Sequence, residues 1–301
     1  MNGDVIAVIG SKGWIGEQCI EILRKRPDLP KIVEYSKRAD NKEDLQEFFD
    51  RFRPTHVFAS IGRTHGSYQG KEYPTIDYLE LPNKLKENIN DNLFTIALLC
   101  KMTFERGIHF TMVGTGCCYE YDEKHTIGGL GFQDHEEPNF TGSAYSTVKG
   151  FTDKIARLYN HTLILRIRMP IADFPHPRDF ITKIAAYPKI TSIPNSMTVL
   201  SDCLPAAMDL MIRREIGAVN LVNPDPISHD EILQMYKTYI DPGHQYENVT
   251  AEEQKKMLLS GRSNNYLLPS LCLKKYNIPP IHKSIKRILE HRRPVSFIPT
   301  H

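Results

Sequence analysis

Short uninterrupted apolar runs alternate along the first half of the chain with longer stretches in which apolar residues return every three or four positions. The runs are Val5 to Ile9, Lys31 to Tyr35, His56 to Ser60, the segment holding Ile108, Phe110, Met112 and Val113, and Thr162 to Arg168. Runs of this length suit strands covered on both faces, as in a parallel sheet, and the stretches between them suit covering helices, such as the one through Ile20, Ile22 and Leu23. Thr75 to Arg106 reads mostly as helix, with Pro82 marking an early break or a start. The alternation predicts an α/β fold: a Rossmann-like, doubly wound parallel sheet with its site at the carboxyl ends of the strands.

Beyond Arg168 the alternation loosens and prolines accumulate (Pro170, Pro175, Pro177, Pro188, Pro194). A smaller C-terminal substrate-binding lobe is expected over 169–301, after a cofactor-binding domain over 1–168. Ser201 to Ile216 and the AVNLVN that follows read as a helix and strand returning to the main sheet, so elements near 200–223 belong to the first domain. Two capping boxes, Ser228 to Glu231 and Thr250 to Glu253, mark helix starts in the lobe.

Composition narrows the class without naming it. Of 301 residues, 41% are hydrophobic and 25% charged, as in ordinary globular proteins, and a net charge of +2 gives no electrostatic footprint for nucleic acid. No apolar run approaches the roughly 18 residues that cross a bilayer, and the first residues carry an acid rather than a basic flank; no membrane association and a cytoplasmic location are expected. Six cysteines without C-x-x-C pairing argue against zinc and against a disulfide framework. His125 and His229 have no ligand spacing, so no metal is expected.

Chemistry concentrates in two places. Directly after the first strand come Gly10, Ser11, Lys12, Gly13, Trp14, Ile15 and Gly16. Strand, glycine-rich turn and helix start form a phosphate cradle, because glycine lets the backbone approach a pyrophosphate and a helix N-terminus offers unpaired N–H groups. Ser60, Ile61 and Gly62, at the end of the third strand, should pass along the same cofactor. Lys37 and Arg38, after the second strand, suit a ribose 2′-phosphate and favour NADP(H); Glu34 within that strand leaves NADH as the alternative.

The second place is Met112 to Lys149. Tyr145 and Lys149 are four apart on a predicted helix and share a face. A lysine beside a phenol stabilises phenolate, about 1.4 kcal/mol for each pH unit. Thr115, at the preceding strand end, can hold a carbonyl against that phenol. Strand-end Thr followed by Tyr-x-x-x-Lys resembles the short-chain dehydrogenase/reductases, and G-x-x-G-x-x-G resembles their extended branch.

A closer resemblance covers almost the whole chain. GWIG (13–16), TGC (115–117), EYD (120–122), PNFTGS (138–143), RMPI (168–171), FITKI (180–184), IPNSMT (193–198), SHDEILQMY (228–236) and RSNN (262–265) are similar to the bifunctional UDP-4-keto-6-deoxyglucose 3,5-epimerase/4-reductases, relatives of dTDP-4-dehydrorhamnose reductase. The chain departs from them in Arg63 to Lys84, which is longer and different, and at Ser11 and Lys12.

The resemblance implies a substrate, UDP-4-keto-6-deoxy-D-glucose, and a product, UDP-β-L-rhamnose. It implies that Cys117 and Lys183 are the base and acid of epimerisation, that Thr115 and Tyr145 hold the enolate and then serve reduction, and that Lys149 lowers the Tyr145 pKa and anchors the nicotinamide ribose. Arg262 matches a diphosphate-binding arginine, Asn195 and Ser196 line the nucleotide pocket, Arg168 is structural, and Asn92 supports the active-site strand. Cys118 reads as a buried thiol. A separate upstream UDP-glucose 4,6-dehydratase and a homodimer are implied as well. The rival readings are a 4-keto reductase without epimerase activity and a non-catalytic regulatory subunit of the same fold.

Overall fold

A computed structural model describes residues 3–27 and 30–292. In chain order, β1 (Val5–Ile9), α1 (Trp14–Arg24), β2 (Lys31–Tyr35), α2 (Lys42–Phe52) and β3 (His56–Ala59) open the fold. A hairpin, β4 (Gly66–Tyr68) and β5 (Lys71–Tyr73), and a 3-10 turn Ile76–Glu80 follow. Then come α3 (Leu85–Ile89), α4 (Thr95–Glu105), β6 (His109–Thr115), α5 (Ala144–Arg157) and β7 (Thr162–Ile167).

The main sheet has the order β2-β1-β3-β6-β7 and gains a sixth strand, β11 (Gly217–Asn220), which α7 (Leu200–Ile212) delivers. All its pairings are parallel. Strand residues alternate between two cores. Ile6, Val8, Phe58 and Leu165 pack with α1 and α7, while Ala7, Ile9, Val57 and Ile164 pack with α2, α4 and α5. Helices therefore cover both faces, as the continuous apolar runs required. The chain reverses its direction of travel across the sheet between β1 and β3, and ligands bind α/β sheets in the crevice at such a point.

The remaining elements are short strands and helices: β8 (Pro170–Ile171), α6 (Phe180–Ala185), β9 (Lys189–Ile190), β10 (Thr198–Val199), α8 (His229–Tyr239), β12 (Glu247–Asn248), α9 (Ala251–Met257) and α10 (Ile281–Arg292). Ile181, Ile184, Val199, Leu233, Ile285 and Leu289 form a core of their own. Both capping boxes are present, at Ser228 with Glu231 and at Thr250 with Glu253.

The segment Thr75 to Arg106 is not one helix. After Pro82, Asn83 adopts φ +65°, and α3 joins α4 through a π-helical turn, Asn90–Phe94. Side-chain hydroxyls take up carbonyls there: Thr95 donates to the Asn90 carbonyl and Thr152 to that of Asn92. The bulge turns the Asn92 side chain inward, where it accepts from Arg63 N and donates to the Arg63 carbonyl and to Asn88. Asn92 thus braces the exit of β3 rather than the strand that ends at Thr115.

Candidate active site

The turn after β1 is shaped by backbone clearance. Gly10 has φ +86°, and a Cβ on Gly16 would lie 2.2 Å from the Gly10 carbonyl oxygen. Gly13 caps α1 without a side-chain hydrogen bond, so the first N–H groups of the helix stay open toward the turn. The cleft beside it, about 330 Å³, is lined by Gly10, Ser11, Lys12, Gly13, Lys37, Arg38, Ser60, Ile61 and Gly62. These nine, singled out in the sequence, share the lining with residues that were not, among them Tyr35, Asp40, Arg63, Asp91 and Thr95, and the glycine turn has the backbone clearance a dinucleotide pyrophosphate needs. Trp14, Ile15 and Gly16 lie outside this lining: Trp14 stacks on His176 at 4.9 Å, Ile15 packs in the core, and Gly16 gives the turn its clearance.

The basic edge is partly neutralised. Lys37 pairs with Asp44 at 2.5 Å, and Arg38 reaches Asp40 at 2.8 Å and Asp91 at 2.6 Å. Arg178, from the loop before α6, lines the same cleft and was not foreseen. Nothing in the spacing of the sequence brings it there.

At the end of β6, Thr115 accepts a hydrogen bond from Cys117 N at 3.1 Å. Ser143 caps α5, and Ser146 in its first turn donates to the Cys117 carbonyl at 2.8 Å, which fixes the helix bearing Tyr145 and Lys149 against the loop bearing the thiol. Tyr145 is 7% exposed and Lys149 5%. Burial pushes the Tyr145 phenol well above its ordinary range and negative charge on Cys117 adds to this, while a hydrogen bond with Thr115 and the charge of Arg168 act against it. The net direction reverses the sequence expectation. Burial outweighs the Thr115 hydrogen bond and the Arg168 charge, so the resting phenol is a neutral proton donor. Burial likewise lowers the Lys149 pKa, against the pull of Cys118, Asp153 and Cys117. Cys118 is fully buried, as expected, and donates to the Thr115 carbonyl.

Arg168, expected to be structural, reaches this group. Its Nη1 donates to Cys117 Sγ at 2.9 Å and its Nη2 to Asn195 Oδ1 at 2.8 Å. Asn195 and Ser196 are fully buried. Asn195 bonds Arg168 and Asn264, and Ser196 bonds Leu267, so both build the wall behind Arg168 rather than a surface open to a nucleotide.

Lys183, on α6, is partly buried, and among the described residues its amine has no hydrogen-bond or ion-pair partner. Burial and the nearby Arg178 lower its pKa. No contact joins it to Cys117. Arg262 donates to Asp77 at 2.6 Å and to Ser260. Asp77 belongs to the departing stretch 63–84, whose hairpin and 3-10 turn also place Tyr78 and Leu79 in one apolar cluster with Tyr145 and Cys117. Only the unusual length of that stretch marked it in the sequence. Among the described residues no His, Cys, Asp or Glu group could hold a metal, and no helix is long and apolar enough to cross a membrane.

A buried phenol, a buried amine, a hydroxyl and an arginine-bound thiol at the end of β6, on the same sheet edge as the glycine turn after β1, can hold a carbonyl, move protons at its neighbouring carbons and protonate its oxygen.

No protein-family model matches the chain. It is 39% identical over 284 residues to protein L780 of Acanthamoeba polyphaga mimivirus, covering 94% of this chain and 96% of that one. The crystal structure of the L780 UDP-rhamnose synthase superposes with a TM-score of 0.88 at 38% identity, over 95% of this chain and 99% of that one. The bifunctional dTDP-4-dehydrorhamnose 3,5-epimerase/dTDP-4-dehydrorhamnose reductase of Arabidopsis thaliana is 38% identical over 264 residues, 86% of this chain and 83% of the relative. A trifunctional UDP-glucose 4,6-dehydratase/UDP-4-keto-6-deoxy-D-glucose 3,5-epimerase/UDP-4-keto-L-rhamnose-reductase of the same plant is 39% identical over 273 residues, and this chain spans 39% of its length.

Proposed function

The chain belongs to the family of nucleotide-sugar 3,5-epimerase/4-reductases that includes the mimivirus UDP-rhamnose synthase and the Arabidopsis bifunctional enzyme, and on that premise we propose that it converts UDP-4-keto-6-deoxy-D-glucose to UDP-β-L-rhamnose. It is an epimerase and a reductase, and its cofactor is NADP(H).

The observation that supports the reading is the grouping of Cys117, Thr115, Tyr145 and Lys149 at the end of β6 and the first turns of α5. The carbonyl of a 4-keto sugar acidifies the protons on both neighbouring carbons, and inversion needs a base on one face and an acid on the other. Cys117 removes the proton, and Lys183 returns one from the opposite side. A partly buried lysine whose pKa is lowered by desolvation gives up its proton more readily than an exposed one. Thr115 and Tyr145 hold the enolate oxygen. When bound, NADPH supplies the hydride for C4. Tyr145 then protonates the C4 oxygen, and Lys149 holds the nicotinamide ribose.

Residues 1–168, with the elements near 200–223, hold the cofactor; the lobe over 169–301 holds the sugar nucleotide, with Arg262, held in place by Asp77 and Ser260, facing its diphosphate. Lys37 and Arg38 select the 2′-phosphate. UDP rather than dTDP is the nucleotide, and the 4-keto substrate comes from a separate 4,6-dehydratase, an activity that the trifunctional plant relative carries in one chain. The enzyme works in the cytoplasm as a homodimer through Leu85, Ile89, Phe94, Phe151 and Leu158, large apolar side chains exposed on and beside α3–α5.

The test is incubation with UDP- and dTDP-4-keto-6-deoxyglucose in deuterated water with NADPH, and NMR assignment of the product. Deuterium at C3 and C5 of a rhamnosyl product is expected. A product reduced at C4 but neither labelled nor inverted at C3 and C5 leaves a simple reductase. Cys117→Ala should abolish the exchange while cofactor binding persists.

A further inference from the structure

Two arginines lie two residues apart at the end of β7, both out of solvent, and they are partnered differently. Arg166, fully buried, is met by a carboxylate: its Nε and Nη2 donate to Asp153 at 2.8 and 2.9 Å. Arg168, 3% exposed, has no carboxylate within ion-pair distance among the described residues. Its Nη2 donates to Asn195 and to the Ser263 carbonyl, both neutral, and its Nε is buried without a partner. The remaining bond runs from Nη1 to Cys117 Sγ at 2.9 Å. A guanidinium cannot shed its charge, and a buried cation without an anion is strongly unfavourable. At Arg168 a sulfur stands where Arg166 has a carboxylate.

We propose that Arg168 is the fixed counter-cation that holds Cys117 as a thiolate in the resting enzyme, which makes it the positioning residue of the epimerisation base. This rests on the reading of Cys117 as that base.

The surroundings hold the pair in place. Arg168 N donates to Thr198 Oγ1 at 3.0 Å, and its carbonyl accepts from Thr198 N at 2.7 Å. Met169, next in the chain, has φ +40°, a conformation that non-glycine residues enter at a cost. Gly116 lets the arginine stem pass, since a Cβ there would lie 3.3 Å from Arg168 Cδ and 2.5 Å from Leu267 Cδ1. The other titratable groups facing the thiol are Tyr145 and Lys149 from α5 and Cys118 beside it. Tyr121, and His229 on α8, feel the charge of Arg168 from its other side, and His229 is buried neutral. Lys149 is thus the second cation near the sulfur, and no carboxylate competes with the sulfur for the guanidinium. During inversion the carbon-bound proton passes to Sγ, giving the thiol, while carbon gains its new proton on the opposite face; release of the Sγ proton to water restores the ion pair.

The free enzyme tests this without substrate. Thiolate absorbance near 240 nm and the rate of alkylation by iodoacetamide are followed against pH for wild type, Arg168→Met and Arg168→Lys. Cys117→Ser subtracts the other thiols. The wild type should carry a thiolate at neutral pH that Cys117→Ser lacks. Arg168→Met should slow Cys117 alkylation at pH 7 at least about tenfold, with Arg168→Lys between the two. Reduction of an already epimerised 4-keto sugar should fall far less than C3 and C5 exchange. An unchanged alkylation profile in an Arg168→Met protein that still binds NADPH would overturn the proposal. Should the arginine variants fail to fold, absence in the wild type of any thiolate signal tied to Cys117 overturns it equally. A wild type that carries the thiolate but exchanges no sugar proton defeats the proposed function and leaves the ion pair standing.

Discussion

Tyr145 and Lys183 show how burial sets the direction of proton traffic at single residues. The phenol is held protonated and the amine is eased toward release, so both begin as donors. Replacing Tyr145 with Phe removes the proton for the C4 oxygen, and NADPH oxidation on an already epimerised sugar should drop about 10²- to 10⁴-fold. Lys183 is lowered first by desolvation and then by Arg178. As the acid of the epimerisation it must be protonated, so exchange at C3 and C5 should fall as pH rises through its lowered pKa. Arg178→Gln removes a repelling charge and should move that falling limb to higher pH. A limb that stays where it was, in the deuterium-exchange profile, removes Lys183 from the role.

At the scale of elements, the glycine turn and the inserted stretch 63–84 matter most. Gly16→Ala would force its methyl against the Gly10 carbonyl oxygen, backbone against side chain with no rotamer to relieve it. The turn must open, and NADPH affinity measured by fluorescence should fall at least about tenfold, well beyond the few tenths of a kcal/mol of an ordinary surface change. The insert is tied to the C-terminal half by Asp77, which accepts from Thr75, Ser260 and Arg262. Burial pushes the Asp77 carboxyl upward, but the Thr75 bond, the Arg262 charge and the Ser260 bonds outweigh it and leave the pKa below the usual value. A carboxylate lowered in the folded state lends stability that is complete above its ordinary pKa and fades only as pH falls through the lowered value. Hydrogen exchange in 66–80 should therefore stay slow down to about pH 4 and quicken below it. Asp77→Asn should quicken it at neutral pH. Exchange indifferent to that change would show that the tie does not hold the insert.

Across the described part of the molecule, five histidines, His65 among them, are kept neutral by burial. His56 and His229 are lowered to about 4, and His109 and His161 are lowered as well, desolvation being the largest cause each time. A histidine with a depressed folded-state pKa binds its proton more readily when unfolded. Stability is therefore full above about pH 6.5 and declines as pH falls toward 4. For His229, almost wholly buried, the full decline is on the order of 3 kcal/mol. The urea midpoint should drop steadily across that window, and a level profile would mean that these rings protonate without opening the fold.

What repeats at short range was legible in the order of residues. Apolar runs announced the parallel strands, three-and-four spacing announced the helices, and G-x-x-G-x-x-G and Tyr-x-x-x-Lys marked the cradle and the phenol–amine pair, because each is a relation between residues within one turn or one strand. Tertiary structure alone decided the partners. Cys117 and Arg168 are 51 positions apart, and Arg262 and Asp77 are 185 apart. Arg166 on β7 and Arg168 just past its end look alike in the chain, yet one meets a carboxylate and the other a cysteine sulfur. Which anion a buried cation meets depends on how the sheet closes and what else it buries, and no local spacing records that.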